Sequence, residues 1–143
     1  MTVPVWMLLG FAAWTMLLLL LTIGVYRWTR IFTGKVGVGD FQADRVEGAD
    51  WYRRSMRAHA NCIENLPVFG AIVFALYAAG VSGPAVDLLT IGVLAARIPQ
   101  SLIHVCLVQT NKVAAMRFSF FLVQFVSFVA LIGMVIRHAW SLS

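Results

Sequence analysis

The chain reads as an all-α membrane protein, a bundle of four transmembrane helices, on three observations. Hydrophobic residues make up 61% of its 143 positions and charged residues only 12%, against about 25% charged in a soluble domain. Mean hydropathy is +0.86. Four apolar windows recur along the chain: Val5 to Tyr26, Asn65 to Val86, Leu88 to Val108 and Phe118 to Ile136. Each approaches the roughly 20 residues that cross about 30 Å of hydrocarbon. Finally, the windows show no strict apolar–polar alternation, which excludes the strands of a membrane barrel. A spanning segment must then satisfy its own backbone, and the helix does so.

The first helix is expected from about Pro4 to Arg30, with Pro4 in a first turn where its missing N–H costs nothing. Trp6, Trp14, Tyr26 and Trp28 read as partly interfacial anchors. The window lacks a basic lead-in and a small-residue cleavage site, so it reads as a mature helix rather than a signal peptide. "TGKVGVGDF", Thr33 to Phe41, breaks it with three glycines. "QADRVEGADWYRR" has no apolar period and reads as a polar loop into the second helix, with Asp50 as candidate N-cap. That helix runs from about Trp51 to Ala79. "GVSGP", Gly80 to Pro84, turns the chain into a third helix, about Pro84 to Val108. "QTNK" follows, with Asn111 as candidate N-cap, and a fourth helix extends to about Trp140. No linker or internal repeat divides the chain, so residues 1–143 are expected to form one four-helix unit.

Basic residues set the orientation. Arg27, Arg30, Lys35, Arg45, Arg53, Arg54 and Arg57 lie between the first two windows, and Lys112 and Arg117 between the last two. Arg137 alone marks the other side. The positive-inside rule makes both basic loops cytoplasmic and puts both termini on the opposite face. The net charge of +5 thus reflects topology and the anionic membrane surface. Nucleic-acid binding needs a basic face on a soluble module, and none is present.

Two cysteines, Cys62 and Cys106, make neither a disulfide framework nor a metal site. They read as small packing residues. No His, Asp or Glu set has metal-ligand spacing, and no P-loop, nucleophile elbow or dinucleotide fingerprint occurs.

The chemistry concentrates in "RAHANCIENLPVFG", Arg57 to Gly70. Arg57, Asn61 and Glu64 follow the i, i+4, i+7 spacing of one helical face. Arg97, Ser101 and His104 repeat that spacing in the third helix, beside Gln100. Ionisable groups at membrane depth face the bundle interior and usually pair. Glu64 and Arg97 are the opposite charges available at depth, so a contact between them is expected. Such a pair also fits a purely structural role in helix register. With His104 and Arg117, these residues converge on the cytoplasmic side, where a basic pocket would suit an anionic ligand. Pro67 and Pro99 each free a carbonyl four residues earlier and are expected to open space beside Glu64 and Arg97. His59 and His138 read as interfacial or solvated.

On these residues the chain resembles the MAPEG superfamily, membrane-associated proteins in eicosanoid and glutathione metabolism. "RAHANCIENLPVFG" is similar to the family's second-helix signature. "IFTGKV", the Arg97 region and "NKVAAMRFSFF" resemble its other segments, so the likeness covers nearly the whole chain. The resemblance implies a homotrimer of four-helix bundles with glutathione held between neighbouring protomers near the cytoplasmic face. It implies that Asn61 and Glu64 contact glutathione, that Arg57, Arg97 and His104 belong to the same binding site, and that Arg117 stabilises the thiolate. It also implies a lipophilic electrophile entering from membrane lipid. A bacterial-type member would lie in the inner membrane.

The chain departs from the prostaglandin synthase branch at four positions. Gly37 and Ala60 stand where that branch has arginines, and His104 and Phe121 where it has tyrosines. Phe121 has no hydroxyl to donate to sulfur. The loop before the fourth helix is also longer. These differences argue against prostaglandin or leukotriene synthesis. The expected function is a glutathione-dependent transferase or peroxidase-like protein acting on lipophilic electrophiles. The alternative is a non-catalytic lipid- or glutathione-binding scaffold of the same fold. A small transporter has only intramembrane charge in its favour and lacks an inverted repeat.

Overall fold

A computed structural model describes residues 1–42 and 46–141. Arg45, counted above with the basic loop, lies outside the described residues. Four long helices form the chain: α1 (Val3–Phe32), α2 (Asp50–Ala78), α3 (Pro84–Cys106) and α4 (Asn111–Trp140), each long and apolar enough to cross a membrane. Among the described residues there is no strand. The expected boundaries hold to within two residues.

Helix ends follow local chemistry. Both α1 and α2 stop at a glycine in the left-handed region, Gly34 (φ 67°) and Gly80 (φ 69°). In each case two backbone bonds close the last turn: Gly34 N–H to Ile31 O and Lys35 N–H to Arg30 O, then Gly80 N–H to Tyr77 O and Val81 N–H to Leu76 O. This arrangement satisfies carbonyls that the helix leaves open, and a side chain at that φ would be strained. Pro84 occupies the first turn of α3.

Two capping expectations need correction. Asp50 is not the N-cap of α2. Ala49 is, and Asp50 sits in the first turn, paired with Arg53. A carboxylate is favourable there because the first N–H groups carry partial positive charge. Asn111 is likewise inside α4. The extended residue before it, Thr110, accepts from Val113 N–H at 3.2 Å.

One irregularity had no sequence signal. Leu19–Gly24 forms a π-helical stretch inside α1. The extra residue in that turn re-aims the helix's last two turns. Beyond it, Tyr26 is buried rather than interfacial, stacked on Tyr52 with ring centroids 4.1 Å apart. Its hydroxyl accepts from Ala49 N–H at 3.2 Å. Arg27 donates to the Tyr52 hydroxyl at 2.9 Å, so α1 and the start of α2 are clasped at the basic end. Trp6 and Trp28 are exposed, whereas Trp14 is half-buried and packs against the apolar core.

The helix α3 is central. It packs against α1, α2 and α4, and its pairing with α4 is the most extensive in the bundle. The apolar core threads Phe11, Phe69 and Phe128 from three helices, with successive centroids 5.8 and 5.9 Å apart. Polar residues share this interior. Ser55, Thr90, Arg97, Ser101 and Gln124 are all buried. Serine and threonine satisfy themselves locally, as Thr90 does by donating to Val86 O at 3.0 Å. Pro67 and Pro99 lie inside continuous helices, so neither terminates its span.

Candidate functional site

At the basic end, α2, α3 and α4 leave an open groove of about 560 Å³ lined by Asn61, Gln100, His104, Ala114, Ala115, Arg117, Phe118 and Phe121. Three elements supply its polar groups, and each arrives by helical spacing. Asn61 projects from α2. Gln100 and His104 stand one turn apart on α3. Arg117 stands on α4, one turn before Phe121. Arg57 and Arg54 add to the positive field around His104. Among the described residues no carboxylate lines the groove. It is therefore a cationic recess with an aromatic wall, suited to an anionic ligand that also carries an apolar part.

The expected contact between Glu64 and Arg97 is not made. Arg97 is 1% exposed and donates through Nη1 to Asn61 Oδ1. Its guanidinium also lies over the Phe11 ring, 5.1 Å from the centroid. Its Nε and Nη2 are buried without a hydrogen-bond partner among the described residues. Glu64 is exposed on the outer face of α2 and forms no ion pair among the described residues. Asn61 points inward to α3, while Glu64, nearly two turns from Arg57, turns outward.

Of the predicted site residues, Asn61, His104 and Arg117 come together in the groove, and Arg97 stands directly behind Asn61. Arg57 and Glu64 are exposed and do not line it. Ser101 also faces elsewhere: it is buried and bonds Arg97 O at 2.9 Å, with Cys62 Sγ 3.5 Å away. Cys62 is a buried packing residue as expected, whereas Cys106 is exposed at the end of α3. His59 is half-buried, with Nδ1 unpartnered among the described residues.

Three glutamines were not singled out as site residues. Gln109 accepts from Arg117 Nη1 at 2.8 Å. Gln100 donates to Arg117 O at 3.2 Å. Gln124 donates to Gln100 Oε1 at 2.9 Å. Uncharged amides scarcely disturb a hydropathy profile. The available signal was their rarity: two of them lie inside otherwise apolar helices. Arg54, which ties α2 to α3 by donating to Val105 O at 3.1 Å, was read only as a topology signal. Among the described residues no cluster of His, Cys, Asp and Glu suits a metal ion.

Comparison with known proteins gives one match. The model of the MAPEG family matches residues 7–137. No curated protein and no solved structure matches the chain.

Proposed function

The chain belongs to the MAPEG family, and from that premise we propose a membrane-bound, glutathione-dependent transferase or peroxidase-like protein acting on lipophilic electrophiles. Membership makes it an integral membrane protein of the superfamily concerned with glutathione and eicosanoid metabolism. The observation that carries the finer reading is the groove itself: Asn61, His104 and Arg117 meet in one cationic recess with no acid among the described residues.

In this reading glutathione lies with its carboxylates toward the basic end and its sulfur near Arg117. A guanidinium beside a thiol favours the thiolate, the nucleophilic form. The thiolate attacks the electrophile, which arrives from lipid along the aromatic wall of Phe118 and Phe121. Asn61 orients the peptide, and Arg97 holds Asn61 by occupying its carbonyl oxygen. Arg57 and Glu64 act from the exposed face of α2. A carboxylate facing hydrocarbon is costly, so a second copy covering Glu64, as in a homotrimer, both relieves that cost and completes the site. Glu64 then receives the ammonium end of the tripeptide. The basic loops are cytoplasmic, and the membrane is a bacterial inner membrane.

The rival reading, a non-catalytic binding scaffold, has a specific observation in its favour. Phe121 lines the groove where a hydroxyl would help to hold sulfur. Titration of purified protein with glutathione, followed by thiolate absorbance, separates the two. The transferase reading expects millimolar or tighter binding with a thiolate signal that Arg117→Ala abolishes. Binding without thiolate establishes the scaffold. A folded oligomer that binds no thiol overturns the glutathione reading.

A further inference from the structure

The Arg117 side chain is gripped from outside the groove. Its Nη1 donates to the Gln109 side-chain oxygen at 2.8 Å, across the connection between α3 and α4. That connection is itself fixed. Thr110, next to Gln109, caps α4 by accepting from Val113 N–H, and Leu107 N–H bonds Ile103 O at 3.1 Å. The backbone of Arg117 is held too. Its carbonyl accepts from Gln100 at 3.2 Å, and Gln100 accepts from Gln124, which is fully buried. Gln124 also donates to Phe120 O at 2.9 Å, so the amide chain returns to α4 one turn beyond Arg117.

We propose that Gln109 is a positioning residue for Arg117, holding the guanidinium at the groove while the Gln100–Gln124 pair fixes the backbone beneath it. The proposal rests on the thiolate-stabilising role given to Arg117 above. The chemistry favours an amide in this place. Arginine has five N–H donors, so one spent on Gln109 leaves the others for the groove. A glutamine oxygen accepts without charge, and the cation keeps its full field at the ligand. A carboxylate at the same position would hold the side chain equally well but would neutralise that field. Gln109 is exposed, so its replacement does not threaten the bundle.

The test uses full-length protein in lipid nanodiscs with glutathione, reading thiolate absorbance and steady-state kinetics with a lipophilic electrophile. Gln109→Leu is expected to lower the thiolate signal several-fold and to reduce kcat, with KM for glutathione held within about twofold, since binding contacts are retained. Gln109→Glu is expected to lower the thiolate signal as well, because it keeps the bond and cancels the charge. In an Arg117→Ala background, where no thiolate signal remains, the comparison reads residual kcat, and Gln109→Leu is expected to add nothing to the loss, because the two residues act as one unit. An unchanged thiolate signal in Gln109→Leu, or an equal loss in both backgrounds, overturns the proposal. A thiol-free measurement separates this from the functional reading. The Arg117 guanidinium NMR signal is expected to show restrained rotation in the wild type and free rotation in Gln109→Leu. If rotation is the same in both, the clamp is wrong whether or not glutathione binds. If rotation is released but no thiol binds, the clamp stands and the glutathione reading falls.

Discussion

A guanidinium in an apolar interior needs acceptors for its donors, and Arg97 finds one side-chain acceptor, Asn61 Oδ1. Removing it strands a buried charge. Asn61→Ala is therefore expected to destabilise the protein by about 2–3 kcal/mol, measured as a lowered unfolding midpoint in detergent. The same substitution also removes a groove residue, so ligand affinity falls with it. Glu64→Gln behaves differently, since Glu64 has no ion pair among the described residues. Helical content stays unchanged, while glutathione affinity drops about tenfold, the loss expected for a charge-assisted hydrogen bond of about 1.5 kcal/mol. Equal affinity in the variant would remove Glu64 from the site. The two thiols divide by burial. Cys106 is exposed and Cys62 is fully buried. A maleimide reagent should label Cys106 in the folded protein, and Cys62 only after unfolding.

Among the elements, α3 does most to organise the site, because its packing against the other helices is the most extensive and it carries Arg97, Gln100 and His104 on successive turns. The helix that completes the groove, α4, starts where Thr110 caps it. Thr110→Ala should cost about 1 kcal/mol and loosen the connection that bears Gln109, seen as faster amide exchange in the first turn of α4. The approach to α2 depends on Gly48, whose φ is 136°. A β-carbon there would overlap the Tyr26 hydroxyl. Gly48→Ala should cost about 1–3 kcal/mol through backbone strain alone and expose the loop to protease. The apolar length of the four windows, the glycine stops and Pro84 all announced these helices in advance. The caps did not announce themselves as clearly. Asp50 and Asn111 each sit beside the true cap: capping preference ranks Asp above Ala and Asn above Thr, so it pointed to the wrong neighbour both times, and the backbone conformation decided the position. The π-helical stretch at Leu19–Gly24 arises in a leucine run whose pattern is the same either way.

The whole bundle presents a basic end and an end nearly free of cations. Single-cysteine variants at Lys35 and Ser82 should therefore react with membrane-impermeant reagents from opposite sides, Lys35 from the cytoplasm. Labelling of both from one side would reject the proposed orientation. The exposed Glu64 and the open groove ask for a second copy beside them. Native mass spectrometry from nanodiscs should register a trimer, and Glu64→Leu should leave its mass unchanged while abolishing ligand retention.

Composition and windowed hydropathy were enough for the four spans, their order and the basic end, because lipid permits no other way to satisfy so apolar a backbone. The family signature around Asn61 was equally visible, being local and contiguous. Partner choice was not. Whether Arg97 meets Glu64 or Asn61 depends on how α2 is rotated against α3, and a turn of a few tens of degrees exchanges one for the other. Spacing puts both residues on one broad face and cannot rank them. The role of Gln109 was hidden for a related reason. Its partner lies eight residues away across a helix start, and an uncharged side chain in a short loop leaves no mark on hydropathy, charge or period. Packing alone brings its oxygen to Arg117.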